Sequence, residues 1–458
     1  RFLRKSILPI DENSLKEIIK DRFGLPDIII EKIMKAGIKM PKARLLILAA
    51  YIKGRIEDKD KSNFFTDEER NKIADEEIRL FTLANDERYG HKLVFDASKK
   101  ELTIDDVALP VNSALLEKLA KGKDAISAIK EETGLIITND VLRALSGIAR
   151  NIRYSNRVIR LEGPTGAGKT FIAQALSKML DIPFYAEPVH SQTKQSRWLG
   201  VFKPNASGDY YLDSNTQFMK LLEGGGVIAL SELNTAIKDD TAKLGWWLVP
   251  LARGKEKIEL NEYPRPPPFK TIKRHKDSII IIDINPFETY QSRGALPLEL
   301  DAYTPAIWIG GRYTPKELKE ISLSYLEGLP ESEKELYANS ISGFHYKLQE
   351  ALFREDREIS KDTPFIITLR QLKNACSLIL NNHKNITQEQ NIIDAIETYY
   401  ILSFKDSIDQ DLARDLIISP GAKPKQYSKP ELLSKNDIPV TNFTPESPLT
   451  IQAVTAII

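Results

Sequence analysis

LEGPTGAGKT, at Leu161–Thr170, follows the apolar pair Val158-Ile159 and opens the helix-like segment FIAQALSKML. A glycine-rich turn between a buried strand and a helix is typical of a phosphate-binding loop. The glycines let the backbone curl so that its N–H groups point inward at an anion. The stretch therefore predicts an α/β fold built around a nucleotide-binding loop. The competing interpretation is a glycine-rich turn without a ligand.

Each residue of this loop has an expected role. The Lys169 ammonium is placed to reach the β and γ phosphates of a nucleoside triphosphate, and the Thr170 hydroxyl is a suitable ligand for a bridging Mg²⁺. We therefore expect Thr170 to be the metal ligand. The residues predicted to bind the nucleotide are Gly163, Pro164, Thr165, Gly166, Ala167, Gly168, Lys169 and Thr170.

Composition limits the class of protein. The 458 residues include 65 Lys+Arg and 64 Asp+Glu, a balance that argues against an extended polyanion-binding surface, so nucleic acid is not indicated as a partner. The single cysteine, Cys376, excludes an internal disulfide and favours a reducing compartment. No long apolar run or signal-peptide pattern is present. We expect a soluble intracellular protein, cytoplasmic or nuclear, without membrane insertion.

Apolar runs beyond the loop predict the rest of a sheet. Val227–Leu230 and the isoleucine-rich Ser278–Ile284 are continuous apolar segments, and Pro183–Tyr185 is a shorter candidate strand. Continuous apolar strands separated by helices are typical of a parallel sheet that is covered on both faces. Leu93–Leu109 alternates like short strands, whereas Lys316–Leu402 has helical periodicity without strands.

Helical periodicity also marks the segments before the loop. Asn13–Arg55 has the spacing of a small helical unit, and Glu57–Arg88 is charge-rich, which indicates a helix with solvated faces and loops. Thr138–Arg153 is predicted to be an amphipathic helix that leads into the first core strand.

Three polar residues outside the loop are catalytic candidates. Glu232 follows an apolar strand, where a carboxylate can polarise the water that attacks the γ-phosphate, and Asn285 follows the isoleucine strand, where its amide can position that water. Arg370 begins a helix, and its charge could reach the phosphates. The competing roles are a helix cap for Glu232, an Asn-Pro turn for Asn285 and a surface position for Arg370.

The order of these segments resembles the AAA+ ATPases, especially their midasin, dynein and MoxR branch. The strings that carry the resemblance are GPTGAGKT, LGVFKPNASGDYYLDSNTQFMKLLEGGGVIALSELNTA, IIDINPFETYQSRGALPLELDAY and TLRQL. The resemblance implies ATP and Mg²⁺ as cofactors, and it makes residues 163–170 the Walker A motif. It also implies that Glu232 is the Walker B glutamate, Asn285 sensor 1 and Arg370 sensor 2. Leu199–Leu212, with Gly208 at its turn, would be an inserted hairpin; the alternative is an ordinary hairpin packed on the module.

The implied fold class is α/β, an AAA+ parallel-sheet P-loop NTPase domain with an α-helical lid, flanked by a partial helical unit of a neighbouring module. The expected domains are a lid of a preceding AAA-like module (1–60), a linker and short-strand region (61–137), the large nucleotide-binding domain (138–313), the small helical lid (314–405), and a linker with the start of a following module (406–458).

Two weak repeats support an excerpt of a multi-module chain. SLKEI followed by GLP at Ser14–Pro26 recurs as ELKEI followed by GLP at Glu317–Pro330. ELTIDDV at Glu101 similarly resembles PLTIQAV at Pro448. The alternative is that similar amphipathic helices look alike. Neighbouring AAA+ modules are therefore the expected partners.

Two departures from the family pattern bear on hydrolysis. Ser231 stands before Glu232, where the family usually has an aspartate that helps to hold Mg²⁺, so the ATPase activity is expected to be weak. Ala302-Tyr303 stands where the family's arginine finger is expected in an Arg-Phe pair. In this family the finger serves a neighbouring module's site. The finger for the Lys169 site should therefore come from another module, and Arg1-Phe2 resembles the remainder of such a pair.

These features lead to one preferred hypothesis and two alternatives. The preferred one is an ATP-hydrolysing AAA+ module of a ring-forming mechanoenzyme that remodels or moves macromolecular complexes, with a protein or ribonucleoprotein substrate. The first alternative is a degenerate module that binds nucleotide in a structural or regulatory role. The second is a MoxR-like chaperone ATPase or nucleic-acid translocase assembled from separate subunits.

Overall fold

A computed structural model describes residues 12–36, 42–59, 65–82, 90–194, 196–204, 206, 210–235, 247–259, 271–286, 294–353, 359–360 and 367–416. Its helices are α1 (Glu12–Phe23), α2 (Asp27–Ala36), α3 (Lys42–Lys59), α4 (Asp67–Thr82), α5 (Ser113–Ala120), α6 (Ala125–Thr133), α7 (Asn139–Tyr154), α8 (Lys169–Leu180), α9 (Ser196–Leu199), α10 (Gln217–Gly224), α11 (247–252), α12 (Leu298–Tyr303), α13 (Pro315–Tyr325), α14 (Glu331–Phe353), α15 (Leu369–Asn382), α16 (Gln388–Tyr399) and α17 (Ser407–Asp415).

The strands are β1 (Leu93–Asp96), β2 (Glu101–Ile104), β3 (Val107–Leu109), β4 (Val158–Glu162), β5 (Phe184–Pro188), β6 (Val201–Pro204), β7 (Tyr210–Asp213), β8 (Gly226–Ser231), β9 (Lys257–Glu259), β10 (Thr271–Lys273), β11 (Ser278–Ile284) and β12 (Ala306–Trp308). Five of them form the central sheet in the order β12-β4-β11-β8-β5. Every pair in this sheet is parallel. The fold is therefore α/β with a parallel sheet, as the apolar runs predict.

The isoleucine strand β11 lies at the centre of the sheet, between β4 and β8. All seven of its residues are buried, because apolar clusters cover both faces of the sheet. One cluster includes α7, α8 and the β1–β3 sheet, and the other includes α10 and α11. The short helices α5 and α6, which were not predicted, also belong to the first cluster. Parallel pairing brings the carboxyl ends of β4, β8 and β11 to one edge of the sheet.

Local signals explain where several elements begin. Thr138 caps α7 by accepting a hydrogen bond from the Val141 N–H at 3.2 Å, so the predicted amphipathic helix begins one residue later than expected. The predicted hairpin is present as the antiparallel pair β6–β7, while Gly208 lies outside the described residues. The predicted short strands of Leu93–Leu109 form the antiparallel sheet β1-β2-β3.

Helices α13 to α17 pack around their own apolar core; they include the segment 314–405 that was predicted to be a lid, and are called the lid below. Thr314 and Glu317 form a capping box at the start of α13, which also has proline in its first turn. Within the described part of Lys316–Leu402 all regular elements are helical, which confirms that prediction. The lid is joined to the sheet domain at α7, because Glu317 Oε1 accepts from the Asn139 N–H at 2.7 Å.

His345, in the middle of the lid core, makes lid stability depend on pH. It is fully buried beside Tyr400, and burial lowers the pKa of His345 to about 3 from an ordinary 6.5. Between pH 3 and pH 6.5, His345 is protonated in the unfolded chain but neutral in the folded lid. The His345 contribution to the free energy of unfolding is therefore fully present above pH 6.5. It falls by about 1.4 kcal/mol per pH unit as the pH decreases from 6.5 toward 3.

We expect His345→Gln to remove this part of the pH dependence. Thermal or urea unfolding between pH 7 and pH 4 should show a shallower loss of stability for the variant than for the unaltered chain. His383→Gln, at the half-buried end of α15, is the control and should keep the original slope. Identical slopes for His345→Gln and the unaltered chain would contradict the expectation.

Helices α1 to α4 form a separate apolar core that is docked on the sheet domain through α3. Polar contacts join α3 and α7: Asp58 accepts hydrogen bonds from Arg153 and from Tyr154 Oη at 2.9 Å. Glu77 of α4 is fully buried, where it pairs with Arg55 and with Arg150 Nε at 3.1 Å. The N-terminal helices thus pack on the module that contains the loop.

Gly54 is the point of closest approach in this interface. A Cβ at Gly54 would overlap the Tyr154 ring, whereas a Cβ at Gly343 in α14 would meet nothing within 4 Å. Both glycines lie inside helices, so alanine adds about 1 kcal/mol of helix propensity at each. We expect Gly343→Ala to raise the free energy of unfolding by that amount, and Gly54→Ala to lower it by about 1–2 kcal/mol because overpacking outweighs propensity.

Chemical denaturation of the two glycine variants measures the difference directly. If Gly54→Ala were as stabilising as Gly343→Ala, α3 and α7 would not be in close contact in solution.

The first repeat of the sequence corresponds to two similar turns. Gly24 follows α1 and Gly328 follows α13, with φ of +63° and +105°, and each turn leads through Leu-Pro into the next helix. Residues 1–11 and 417–458 lie outside the described residues, and these include Arg1-Phe2, most of the segment 406–458 that was predicted to be a linker and following module, and the repeat at Pro448. Among the described helices, none has the length and apolar character required to span a membrane.

Candidate nucleotide-binding site

The predicted phosphate loop joins β4 to α8. Gly166 and Gly168 have φ of +80° and +87°, in the left-handed region that glycine adopts without steric cost. A Cβ at Gly163 would overlap the Ile309 carbonyl, so only glycine fits there. Pro164, Thr165 and Ala167 complete the turn. The loop leaves backbone N–H groups at the start of a 12-residue helix, an arrangement that favours anions.

Lys169 is 5% exposed and points into this loop. Its ammonium donates to Gly163 O, Pro164 O and Asn285 Oδ1, each at 2.9 Å. Burial lowers the pKa of Lys169, while the Asp283 carboxylate 3.4 Å away acts in the opposite direction. Since little water screens this ammonium, its attraction for phosphate oxygens is strong.

Thr170 contacts oxygen groups from two neighbouring strands. Its Oγ1 donates to Asp283 Oδ2 at 2.7 Å and lies 3.3 Å from Ser231 Oγ. Burial raises the pKa of the Asp283 carboxyl, against the effect of the Lys169 ammonium. Among the described residues, no group of three or more His, Cys, Asp or Glu could hold a metal ion. The hydroxyl and carboxylate oxygens here nevertheless fit Mg²⁺, which takes its other ligands from water and nucleotide phosphates.

Glu232 lies directly after β8, beside Asn285. Its φ of +59° is unusual for a residue with a side chain, costs about 1–3 kcal/mol, and is a feature that concentrates at functional sites. Asn285 Nδ2 donates to Glu232 Oε1 at 3.3 Å, while Asn285 Oδ1 accepts from Lys169. The Asn285 carbonyl accepts from Asn234 Nδ2 at 2.7 Å. The structure thus brings Lys169, Asn285 and Glu232 into one hydrogen-bonded line.

A cavity of about 550 Å³ lies between the loop, the start of α7 and the lid. This size is typical of a small-molecule site. Arg370 and Lys373, from the start of α15, bring positive charge to it. Most of the other lining side chains are apolar or aromatic, including Leu135, Ile136, Val141, Phe171, Ile172, Ile309, Ile321, Tyr313 and Tyr325.

The lid touches the loop directly. A Cβ at Gly166 would lie 3.0 Å from Thr368 Oγ1 and 3.6 Å from Arg370 Cβ, and Tyr313 Oη donates to Ala167 O at 3.5 Å. Arg370 is exposed, which agrees with the alternative interpretation of a surface arginine. It also lies beside the loop, at the edge of the cavity.

Comparison with known proteins gives a distant, partial likeness. No family model matches the chain. A 128-residue region, 28% of the chain, is 25% identical to the denitrification regulatory protein NirQ of Pseudomonas aeruginosa. The chain spans 45% of the length of that relative. This likeness is compatible with the α/β fold, and the activity of the whole protein is a matter for proposal.

Sequence reasoning missed four residues of the site. Asp283 interrupts the isoleucine run of β11, and that lone carboxylate in IIDINP was the signal that could have identified it. Asn234, two residues after Glu232, donates a hydrogen bond to the Asn285 carbonyl. Tyr313, just before α13, and Tyr325, the last residue of α13, line the cavity, but no local pattern distinguishes them from core residues.

Proposed function

We propose that this chain is an AAA+ module that binds ATP with Mg²⁺ and hydrolyses it. The observation that carries the proposal is the hydrogen-bonded line from Lys169 through Asn285 to Glu232 at the end of the glycine loop. These are a phosphate-binding cation, a positioning amide and a carboxylate, the group types that phosphoryl transfer to water requires. Three separate segments of the chain supply them.

Each residue has a defined task in this reaction. The loop N–H groups and Lys169 bind the phosphates, and Glu232 accepts a hydrogen bond from the attacking water and increases its nucleophilicity. Asn285 keeps the Glu232 carboxylate oriented through its Nδ2 donor. Bound Mg²⁺, held by Thr170, would neutralise charge on the phosphate oxygens.

The contacts between lid and loop support a mechanical role. Arg370 and Thr368 lie against the loop at Gly166, so a change in the bound phosphates can alter the position of α15. In the proposed mechanoenzyme, similar to midasin or dynein, neighbouring AAA+ modules receive this motion and a protein or ribonucleoprotein complex is remodelled. Cys376 is buried and free, which is consistent with a reducing compartment, the cytoplasm or nucleus.

A regulatory nucleotide-binding module is the second candidate. Ser231 lacks the charge of the acidic residue expected there, and the distant relative NirQ is named as a regulatory protein. Such a module would bind ATP and change the conformation of its lid without repeated turnover.

One experiment distinguishes the two candidates. ATP and GTP binding and phosphate release should be measured on the polypeptide that contains this chain, with Mg²⁺ present. Release of many phosphates per site supports the ATPase. Tight binding with less than one release per site supports the regulatory module. Absence of nucleotide binding contradicts both.

A further inference from the structure

Asp283 has no role in the family pattern from which the site was predicted. We propose that Asp283 supplies the carboxylate that positions the Mg²⁺ of a bound nucleotide. This carboxylate is on β11, next to β8, the strand on which the family usually has it. The inference rests on the proposed ATP site. It assigns to β11 the acidic function that Ser231 cannot perform on β8.

The register of the sheet places the two positions side by side. Asp283 pairs directly with Ser231 across β11 and β8. Paired residues of parallel strands project to the same face, and their strands are about 4.8 Å apart. A carboxylate at position 283 is therefore one strand spacing away from a carboxylate at position 231. Both would lie at the same edge and on the same face of the sheet.

The contacts of Thr170 show that the side chains of Ser231 and Asp283 both reach the phosphate loop. Its hydroxyl lies within 3.3 Å of Ser231 Oγ and donates to Asp283 Oδ2 at 2.7 Å. The expected metal ligand is thus already paired with the relocated carboxylate. A hydroxyl therefore stands on β8, where the family usually has the carboxylate, and a carboxylate stands at the paired position on β11.

A purely structural role as the counterion of Lys169 explains the geometry less well. The three protons of that ammonium already have acceptors, Gly163 O, Pro164 O and Asn285 Oδ1, each at 2.9 Å. Asp283 Oδ1 is more distant, at 3.4 Å from Lys169 Nζ. A carboxylate that is 5% exposed in an isoleucine strand is costly unless an interaction in the cleft compensates for it.

The test compares metal-dependent with metal-independent nucleotide binding. The probes are Mn²⁺, followed by electron paramagnetic resonance in the presence of a non-hydrolysable ATP analogue, and the affinity of that analogue with Mg²⁺ or with EDTA. We expect Asp283→Asn to weaken Mn²⁺ binding by about 10- to 100-fold, as loss of an ordering group near a metal does. Affinity in EDTA should be unchanged or higher, because one negative charge near the phosphates is gone.

A rescue variant separates a metal role from a structural one. Ser231→Asp combined with Asp283→Asn returns the carboxylate to β8 and should restore most of the Mn²⁺ affinity. Asp277→Asn, just before the other end of β11, is the control and should behave like the unaltered chain. Circular dichroism of each variant verifies folding.

Three outcomes would overturn the inference. Unchanged Mn²⁺ affinity in Asp283→Asn shows that another group orders the metal. Equal losses with Mg²⁺ and with EDTA, without rescue by Ser231→Asp, show that Asp283 only positions Lys169. If the unaltered chain binds no nucleotide at all, the proposed function fails and this inference fails with it.

Discussion

Lys169→Ala is expected to weaken ATP binding by about 100-fold or more, measured by isothermal titration calorimetry with Mg²⁺ present. The variant removes a buried ammonium that lies inside the loop and would form charge-assisted hydrogen bonds to the phosphates. Two such bonds, at about 1.5–3 kcal/mol each, correspond to two orders of magnitude or more in affinity. Because the variant leaves Asp283 without its cation, thermal unfolding must be followed on the same samples.

The matched control is Lys178→Ala, at the exposed far end of the same helix. It removes the same charge from the chain and should leave ATP affinity unchanged. If both variants bound ATP as the unaltered chain does, the glycine loop would not be a phosphate site. The ATPase and the regulatory proposals would then both be wrong.

Glu232→Gln is expected to decrease steady-state phosphate release by about 10²- to 10⁴-fold, the usual contribution of a general base. ATP affinity should change little, because the amide has nearly the same shape and can still accept from Asn285 Nδ2. The variant should therefore retain ATP where the unaltered chain retains ADP. Chromatography of the released nucleotide measures this directly.

Glu223→Gln is the control for this change, since Glu223 is exposed on α10. It should retain the full rate. If Glu232→Gln left turnover unchanged while Lys169→Ala abolished binding, the loop would hold nucleotide but Glu232 would not assist hydrolysis. Slow turnover in all samples would instead favour the regulatory module.

Sequence patterns predicted the parts of this fold that depend on local chemistry. The loop at Gly163–Thr170 and the strand at Ser278–Ile284 were identified because glycine spacing and an unbroken isoleucine run have few other structural meanings. Glu232 and Asn285 could be placed together because parallel strands end at one edge of a sheet. In each case the element itself is recognised from a few consecutive residues.

The partner of Asp283 and the packing of Gly54 could not be predicted, because both depend on how distant segments meet. Asp283 pairs with Ser231, 52 residues earlier in the chain, and no local pattern reports which residues of two strands are opposite each other. The packing of Gly54 against Tyr154 depends in the same way on how two separately predicted helices meet. The domain boundaries predicted from the resemblance stay predictions.

The first turn of α15 contacts Gly166, so a small tilt of the helix at the loop becomes a larger displacement at its far end. With 14 residues, α15 is about 21 Å long at about 1.5 Å per residue. A tilt of about 10° at its first turn would move its far end by about 4 Å over that length. In the proposed ATPase, loss of one phosphate group at the loop would therefore displace the opposite side of the lid by several times more than a hydrogen-bond adjustment does.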